Sequence, residues 1–200
     1  MNTCIIMFTK APDVGQVKTR LAPLLGFEGA ARFYRELLAS AVARFTAVEG
    51  CDLQLAVAGD CHQVDIVHLS TQYEVPVHQQ VAGDLGAKMS SAAESALRQY
   101  DQVLLVGCDC PGLTSDVILS VIRGLSQSSV VFVPAEDGGY VCLGLTQAVP
   151  QIFNHIDWGT DKVLQQSLAI LSDCHIQPVV LPTLWDIDRP EDYQRYCDLE

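Results

Sequence analysis

The sequence predicts an α/β protein in which a mixed, mainly parallel sheet is covered by helices on both faces. Three observations carry this. Apolar runs rich in β-branched residues alternate with longer segments of helical period. The interval between Val130 and Leu145 is too short for a crossover helix, so the strands flanking it depart from simple βαβ succession and the sheet must be mixed. The chain has 200 residues, 49 % of them apolar, enough to bury a core without disulfides and suited to one domain over residues 1–200.

The elements follow in order. Thr3 to Phe8 is a continuous apolar run and reads as a buried strand. Glu28 to Thr46 is the strongest helix, with Ala31, Tyr34, Leu38, Val42 and Phe45 at spacings of three and four. Leu53 to Ala58 and Val75 to Gln79 are the next strands, followed by a helix over Leu85 to Tyr100. Val103 to Val106 is a short strand, and Ser115, a good N-cap residue, opens a helix to Leu125. Val130 to Pro134 and Tyr140 to Leu145 are strands separated by Gly138-Gly139. Asp161 to Leu171 is helical, Ile176 to Leu181 is the last strand, and Asp192 to Tyr196 begins a terminal helix. No internal repeat, low-complexity tract or domain linker interrupts this series.

Composition narrows the function. A formal charge of −12 argues against nucleic acid or an anionic membrane as partner, since both require a broad basic surface. No apolar run approaches the ~20 residues of a membrane span. The eight cysteines read as reduced thiols of a cytoplasmic protein. Cys108 and Cys110 are one residue apart and no second pair stands at zinc spacing. The five histidines are scattered without ligand spacing.

Against this acidic background the loop after the first strand concentrates cations: Lys10, Lys18 and Arg20, including two of the four lysines in the chain. It projects from the carboxyl end of a strand, where open α/β sheets bind ligands. Pro12 and Gly15 shape the turn, and Lys18, Thr19 and Arg20 follow as candidate phosphate contacts, Arg in bidentate fashion. The spacing is neither that of a P-loop nor that of a dinucleotide fold. A solvated basic loop is the alternative. Asp109, at the end of the strand leading into Gly107-Cys108-Asp109-Cys110-Pro111, is placed to hold Mg²⁺ or Mn²⁺ in the same crevice, or else to cap the following helix. Glu136-Asp137-Gly138-Gly139-Tyr140 is either a tight turn or a ligand platform. Asp186 and Asp188 fall on one side of an extended Asp-Ile-Asp and offer a second metal carboxylate, with Pro190 and the acids near it also suited to starting a helix. Gly83-Asp84 with Lys88 is either an anion site at a helix start or an ordinary cap. Trp158-Gly159-Thr160-Asp161 is another helix start whose indole could line a pocket.

Together, Lys-x-Pro-x-x-Gly-x-x-Lys-Thr-Arg at 10–20, Gly-Asp-Leu-Gly at 83–86, Gly-x-Asp-x-Pro at 107–111, Glu-Asp-Gly-Gly-Tyr at 136–140, Trp-Gly-Thr at 158–160 and Asp-Ile-Asp-x-Pro-Glu-Asp at 186–192 resemble the bacterial GT-A-type glycosyltransferase-like family of the nucleotide-diphospho-sugar transferase superfamily. The resemblance is collinear over nearly the whole chain. It implies a three-layer, Rossmann-like α/β/α sandwich, a nucleotide-binding amino-terminal half and dependence on a divalent metal. Asp109 would then be a metal ligand, Asp186 or Asp188 the second, and the first loop would embrace phosphates. Two positions depart from the pattern: Cys110 replaces the second acid of Asp-x-Asp, and Arg189 stands where similar sequences often have threonine.

The resemblance implies transfer from a nucleotide-activated donor to a small-molecule acceptor. Glycosyl transfer from a nucleoside-diphosphate sugar comes first, with catalysis by Asp109, Lys18, Arg20 and either Glu136 or Asp137, and with Gly138, Gly139, Tyr140 and Trp158 contacting substrate. Nucleotidyl transfer to a phosphorylated small molecule with pyrophosphate release is the second reading, and a nucleotide-binding module without turnover the third. A homodimer stays open.

Overall fold

The computed structural model describes residues 1–199; Glu200, the last residue of the expected domain, lies outside them. Among the described residues seven strands form one sheet: β1 (Thr3–Lys10), β2 (Cys51–Ala58), β3 (Val77–Gln79), β4 (Gln102–Gly107), β5 (Val130–Pro134), β6 (Tyr140–Leu145) and β7 (Val179–Val180). Their order is β3-β2-β1-β4-β6-β5-β7. β6 pairs antiparallel with both β4 and β5, whereas the other pairings are parallel. The mixed sheet expected from the short 130–145 interval is thus a β5-β6 hairpin whose second strand is inserted beside β4.

Helices α1 (Ala22–Thr46), α2 (Val64–Tyr73), α3 (Leu85–Ala96), α4 (Ser115–Gly124), α5 (Val163–Asp173) and α6 (Pro190–Cys197) connect and flank the strands. Side-chain alternation along the central strands sorts the core into two layers. Ile5, Met7, Leu55, Leu104 and Val133 point toward α1, α2 and α4, represented by Leu38, Ile66 and Val121. Cys4, Ile6, Leu105, Phe132 and Leu143 point the other way, toward Met89 and Ala93 of α3 and Leu171 of α5. This is the expected three-layer sandwich. Strands buried on both faces need apolar residues at every position, so β1, β4 and β5 read as continuous hydrophobic runs.

Several element ends differ from the sequence reading. α1 begins at Ala22 rather than Glu28, across a non-helical Gly26 (φ 70°). α2 was not expected: its sequence VDIVHLSTQY buries one residue, Ile66, so its apolar period is weak, and Gln63 caps it by accepting from the Asp65 and Ile66 amides. Thr114, not Ser115, caps α4. The last strand shortens from Ile176–Leu181 to Val179–Val180. Each of the eight cysteines is free, and no helix of the described residues is long and apolar enough to cross a membrane.

Candidate active site

β1 and β4 are neighbours at the centre of the sheet, and their onward connections lead to opposite halves, β1 to β2 and β4 by way of α4 to β5. The crevice beyond their carboxyl ends is therefore the topological switch point of the fold. Two cavities open there, of about 520 Å³ and 260 Å³. Asp109 lines both.

The basic loop forms the wall of the larger cavity. Lys10 ends β1, and Ala11 prolongs its pairing by donating to the Ala58 carbonyl at 2.8 Å. Pro12 is buried, and its carbonyl accepts from Arg35 Nη2 at 3.1 Å. Gly15 turns the chain at φ 78°. Lys18 takes a left-handed conformation (φ 44°, ψ 39°) before a short 3₁₀ turn, Thr19–Leu21, and for a non-glycine residue this costs roughly 1–2 kcal/mol. The conformation carries its side chain inward, 6 % exposed, to donate to Asp109 Oδ2 at 2.7 Å and to the Ile187 carbonyl. Burial opposes the ammonium charge, but the Asp109 carboxylate more than offsets this, and the Lys18 pKa is raised. Leu21 anchors the end of the loop in a small cluster with Phe33, Leu37 and Ile187.

Ile187 draws the segment after the last strand into the site. The chain runs beside β5, with the Leu184 amide on the Pro134 carbonyl and the Glu136 amide on the Leu184 carbonyl, both at 2.9 Å. The Ile187 amide then donates to the Asp109 carbonyl, also at 2.9 Å. With Ile187 fully buried, its two acidic neighbours part company. Asp188 lines the larger cavity and pairs with Arg20, while Asp186 lines the smaller one with Asp109 and Asp137. Burial first, and then the charges of Asp109 and Asp137, push the Asp186 carboxyl up from 3.8 to about 6, against the pull of Lys18.

The Glu136–Tyr140 segment is a tight turn that also faces the smaller cavity. The Ala135 amide donates to the Gly139 carbonyl at 3.0 Å, and Asp137 Oδ1 accepts from the Gly139 amide at 2.8 Å. Gly138, at φ 90°, is required: a Cβ there would lie 2.2 Å from the Asp161 carbonyl oxygen. Asp137, Gly139, Tyr140 and Trp158 line the cavity, whereas Gly138 packs against the Asp161 backbone. Glu136 is not brought to either cavity. It pairs with Arg195 of α6 at 2.9 Å, and that guanidinium lies over the Trp185 ring at 4.2 Å.

On the opposite wall, Asp84 caps α3 by accepting from the Ala87 amide at 2.8 Å, next to Gly83 at φ 122°. Lys88 reaches the larger cavity from the first turns of that helix. Residues not singled out in the sequence complete this cavity. Tyr34 of α1 places its hydroxyl 2.7 Å from Thr9 Oγ1, where it accepts from the Lys10 amide at 2.9 Å and from Cys108 Sγ. Gln80 donates through Nε2 to the Thr9 and Ala56 carbonyls. Its position just past β3 was a usable signal under the strand-end rule, whereas nothing distinguished Tyr34 from a core residue of α1.

Among the described residues no group of three or more His, Cys, Asp or Glu is gathered closely enough to hold a metal by itself. The Asp109 carboxylate does stand close enough to Asp186 to help raise the latter's carboxyl. Such a pair suits a hard divalent cation whose other ligands are phosphate and water oxygens. Asp188 does not join them, being held by Arg20.

The fold is that of the nucleotide-diphospho-sugar transferases and cytidylyltransferases among the solved structures it resembles. The chain is similar, over 98 % of its length and 87 % of the other chain, to a "putative nucleotide-diphospho-sugar transferase" from Desulfovibrio desulfuricans G20, at 27 % identity and a TM-score of 0.89. It shares the fold of 4-diphosphocytidyl-2C-methyl-D-erythritol synthase from Anaerococcus prevotii DSM 20548 (12 % identity, 97 % and 96 % of the two chains, TM-score 0.66). It also shares that of Rv0371c from Mycobacterium tuberculosis H37Rv in complex with manganese (14 %, 99 % of each chain, 0.60). A search of the curated proteins gives no match. Residues 41–160 match the DUF2064 family, described as an uncharacterized protein conserved in bacteria, and the chain belongs to that family.

Proposed function

We propose that the protein is a metal-dependent transferase that binds a nucleotide-activated donor in the larger cavity and delivers its sugar to an acceptor in the smaller one. The observation that carries this is the position of Asp109, a shared wall of two unlike cavities, fixed by Lys18 and by the Ile187 amide. Lys10, Lys18, Arg20 and Lys88 supply positive charge where a diphosphate would lie. Asp109 and Asp186 would hold a divalent cation, which when bound adds Lewis-acid stabilisation of the leaving phosphate.

The chemistry asked of the chain's own residues is modest. The acceptor hydroxyl oxygen forms a bond to the anomeric carbon, the bond from that carbon to the diphosphate oxygen breaks, and its electron pair leaves with the nucleoside diphosphate. The hydroxyl proton passes to Asp137, whose second carboxylate oxygen is not used by the turn. Lys18 and Arg20 are held in place by Asp109 and Asp188 before any ligand arrives, so little reorganisation is needed as charge develops.

Nucleotidyl transfer is the second reading, favoured by the same four cations, which also suit a triphosphate. The eight free thiols fit a reducing, cytoplasmic setting for either. The test is thermal stabilisation by a panel of nucleoside-diphosphate sugars and nucleoside triphosphates with Mg²⁺ or Mn²⁺, followed by measurement of the released product. Nucleoside diphosphate release supports glycosyl transfer and pyrophosphate release the second reading. No metal-dependent stabilisation by any nucleotide would refute both.

A further inference from the structure

The two cavities that meet at Asp109 differ sharply in charge. The larger carries Lys10, Lys18, Arg20 and Lys88 against Asp109 and Asp188. The charged residues lining the smaller are Asp109, Asp137 and Asp186, with no Lys, Arg or His among them. Its remaining walls are largely apolar, with Phe8, Met89, Leu105, Val141 and Trp158 among them. Lys18 pairs with Asp109 and offsets one of the three charges, so the excess rests on Asp137 and Asp186. A divalent cation on Asp109 and Asp186 would bring the three acids and Lys18 to balance, and the donor's phosphates would then add negative charge beside a cavity with no cationic side chain in its lining.

We infer that the smaller cavity takes an uncharged hydroxyl compound with one apolar face and rejects phosphorylated or carboxylated acceptors. This rests on the two-cavity reading above and names the acceptor class for it. An anionic group there would meet Asp137 and the donor's phosphates in a partly enclosed space with no cationic side chain in its lining to receive it, the arrangement by which proteins exclude wrong partners. The apolar walls would receive the ring face of a sugar or an alkyl or aryl substituent. At about 260 Å³ the space lies below the ~300–1,000 Å³ of sites for drug-sized ligands, which suits a compact acceptor.

The experiment uses the full-length protein saturated with a nucleoside diphosphate and Mn²⁺. Matched pairs are titrated, each an uncharged hydroxyl compound (monosaccharides and their methyl and phenyl glycosides) and its phosphate ester, and binding is read by saturation-transfer NMR. Uncharged members are expected to bind at least tenfold more tightly than their esters. Thr160→Lys, an exposed substitution at the rim of this cavity, should narrow that preference at least threefold. Equal or tighter binding of the esters by the unaltered protein, or binding of no uncharged member, overturns the inference. Nucleoside diphosphate binding is measured separately: its absence defeats the two-cavity reading, whereas its presence with ester preference defeats only the acceptor class.

Discussion

Replacing Asp186 by Asn removes a charge that the fold holds at a cost, and the outcome should depend on pH. The carboxyl is pushed up from 3.8 to about 6 by burial and by its acidic neighbours Asp109 and Asp137. At ~1.36 kcal/mol per pH unit this is a ceiling of about 3 kcal/mol, and because the side chain is only partly buried, solvent screening brings the expectation to about 1–2 kcal/mol. The sign follows from linkage. Between pH 3.8 and about 6 the folded protein binds more protons at this site than the unfolded chain, so its contribution to stability falls as pH rises and the full penalty is present above pH 6. Asp186→Asn should therefore be the more stable protein at pH 8 in the presence of a chelator, by about 3–6 °C in Tm for a chain of this size, and indistinguishable from the parent near pH 4. Urea denaturation at the two pH values, with unchanged m, is the assay. Adding Mn²⁺ should reverse the order, stabilising the parent and not the variant. Equal or lower stability of the variant at pH 8 would show that the carboxylate is not held against its preference, and that Asp109, Asp137 and Asp186 do not form one electrostatic unit.

Two further outcomes follow. Lys18→Met should destabilise the fold by about 2–4 kcal/mol, because it leaves Asp109 without its ion-pair partner while keeping the strained backbone; chemical denaturation measures it, and Lys18→Arg should not restore nucleotide binding if the ammonium must reach both Asp109 and the Ile187 carbonyl. Gly138→Ala should cost at least about 2 kcal/mol from its positive φ and the 2.2 Å approach to Asp161, readable as a lowered Tm, whereas Gly15→Ala, with nothing within 4 Å, should cost about 1 kcal/mol.

The central strands were legible because a strand buried on both faces has no choice but to be apolar, and β1, β4, β5 and β6 all obey this. The edges were not. β7 has two residues and little burial, so nothing forces its pattern, and α2 lies on the surface with Ile66 buried and Leu69 and Tyr73 only partly so. In the site, the strand-end rule located Lys10 and Asp109 from position alone. The separation of Asp186 from Asp188 was not visible, since an extended Asp-Ile-Asp sends both to one side, and only the burial of Ile187 between α1 and the loop shows how they divide. Glu136 illustrates the same limit: its partner Arg195 is 59 residues distant.

The closing of the site by residues 184–188 has a consequence for biogenesis. Sheet strands β1 to β6 and the first cavity's lysines are all present by Leu145, yet Asp186, Asp188 and the carbonyl that holds Lys18 follow some forty residues later. During synthesis, when amino-terminal regions fold first, the nascent protein carries a sheet without a finished pocket, and Ile187, Tyr193 and Tyr196 must all leave the ribosome before the Leu21–Phe33–Leu37 cluster is covered. A ligand of this site can therefore stabilise only chains that have been translated past Asp188, so that occupancy itself distinguishes them from molecules cut short before it.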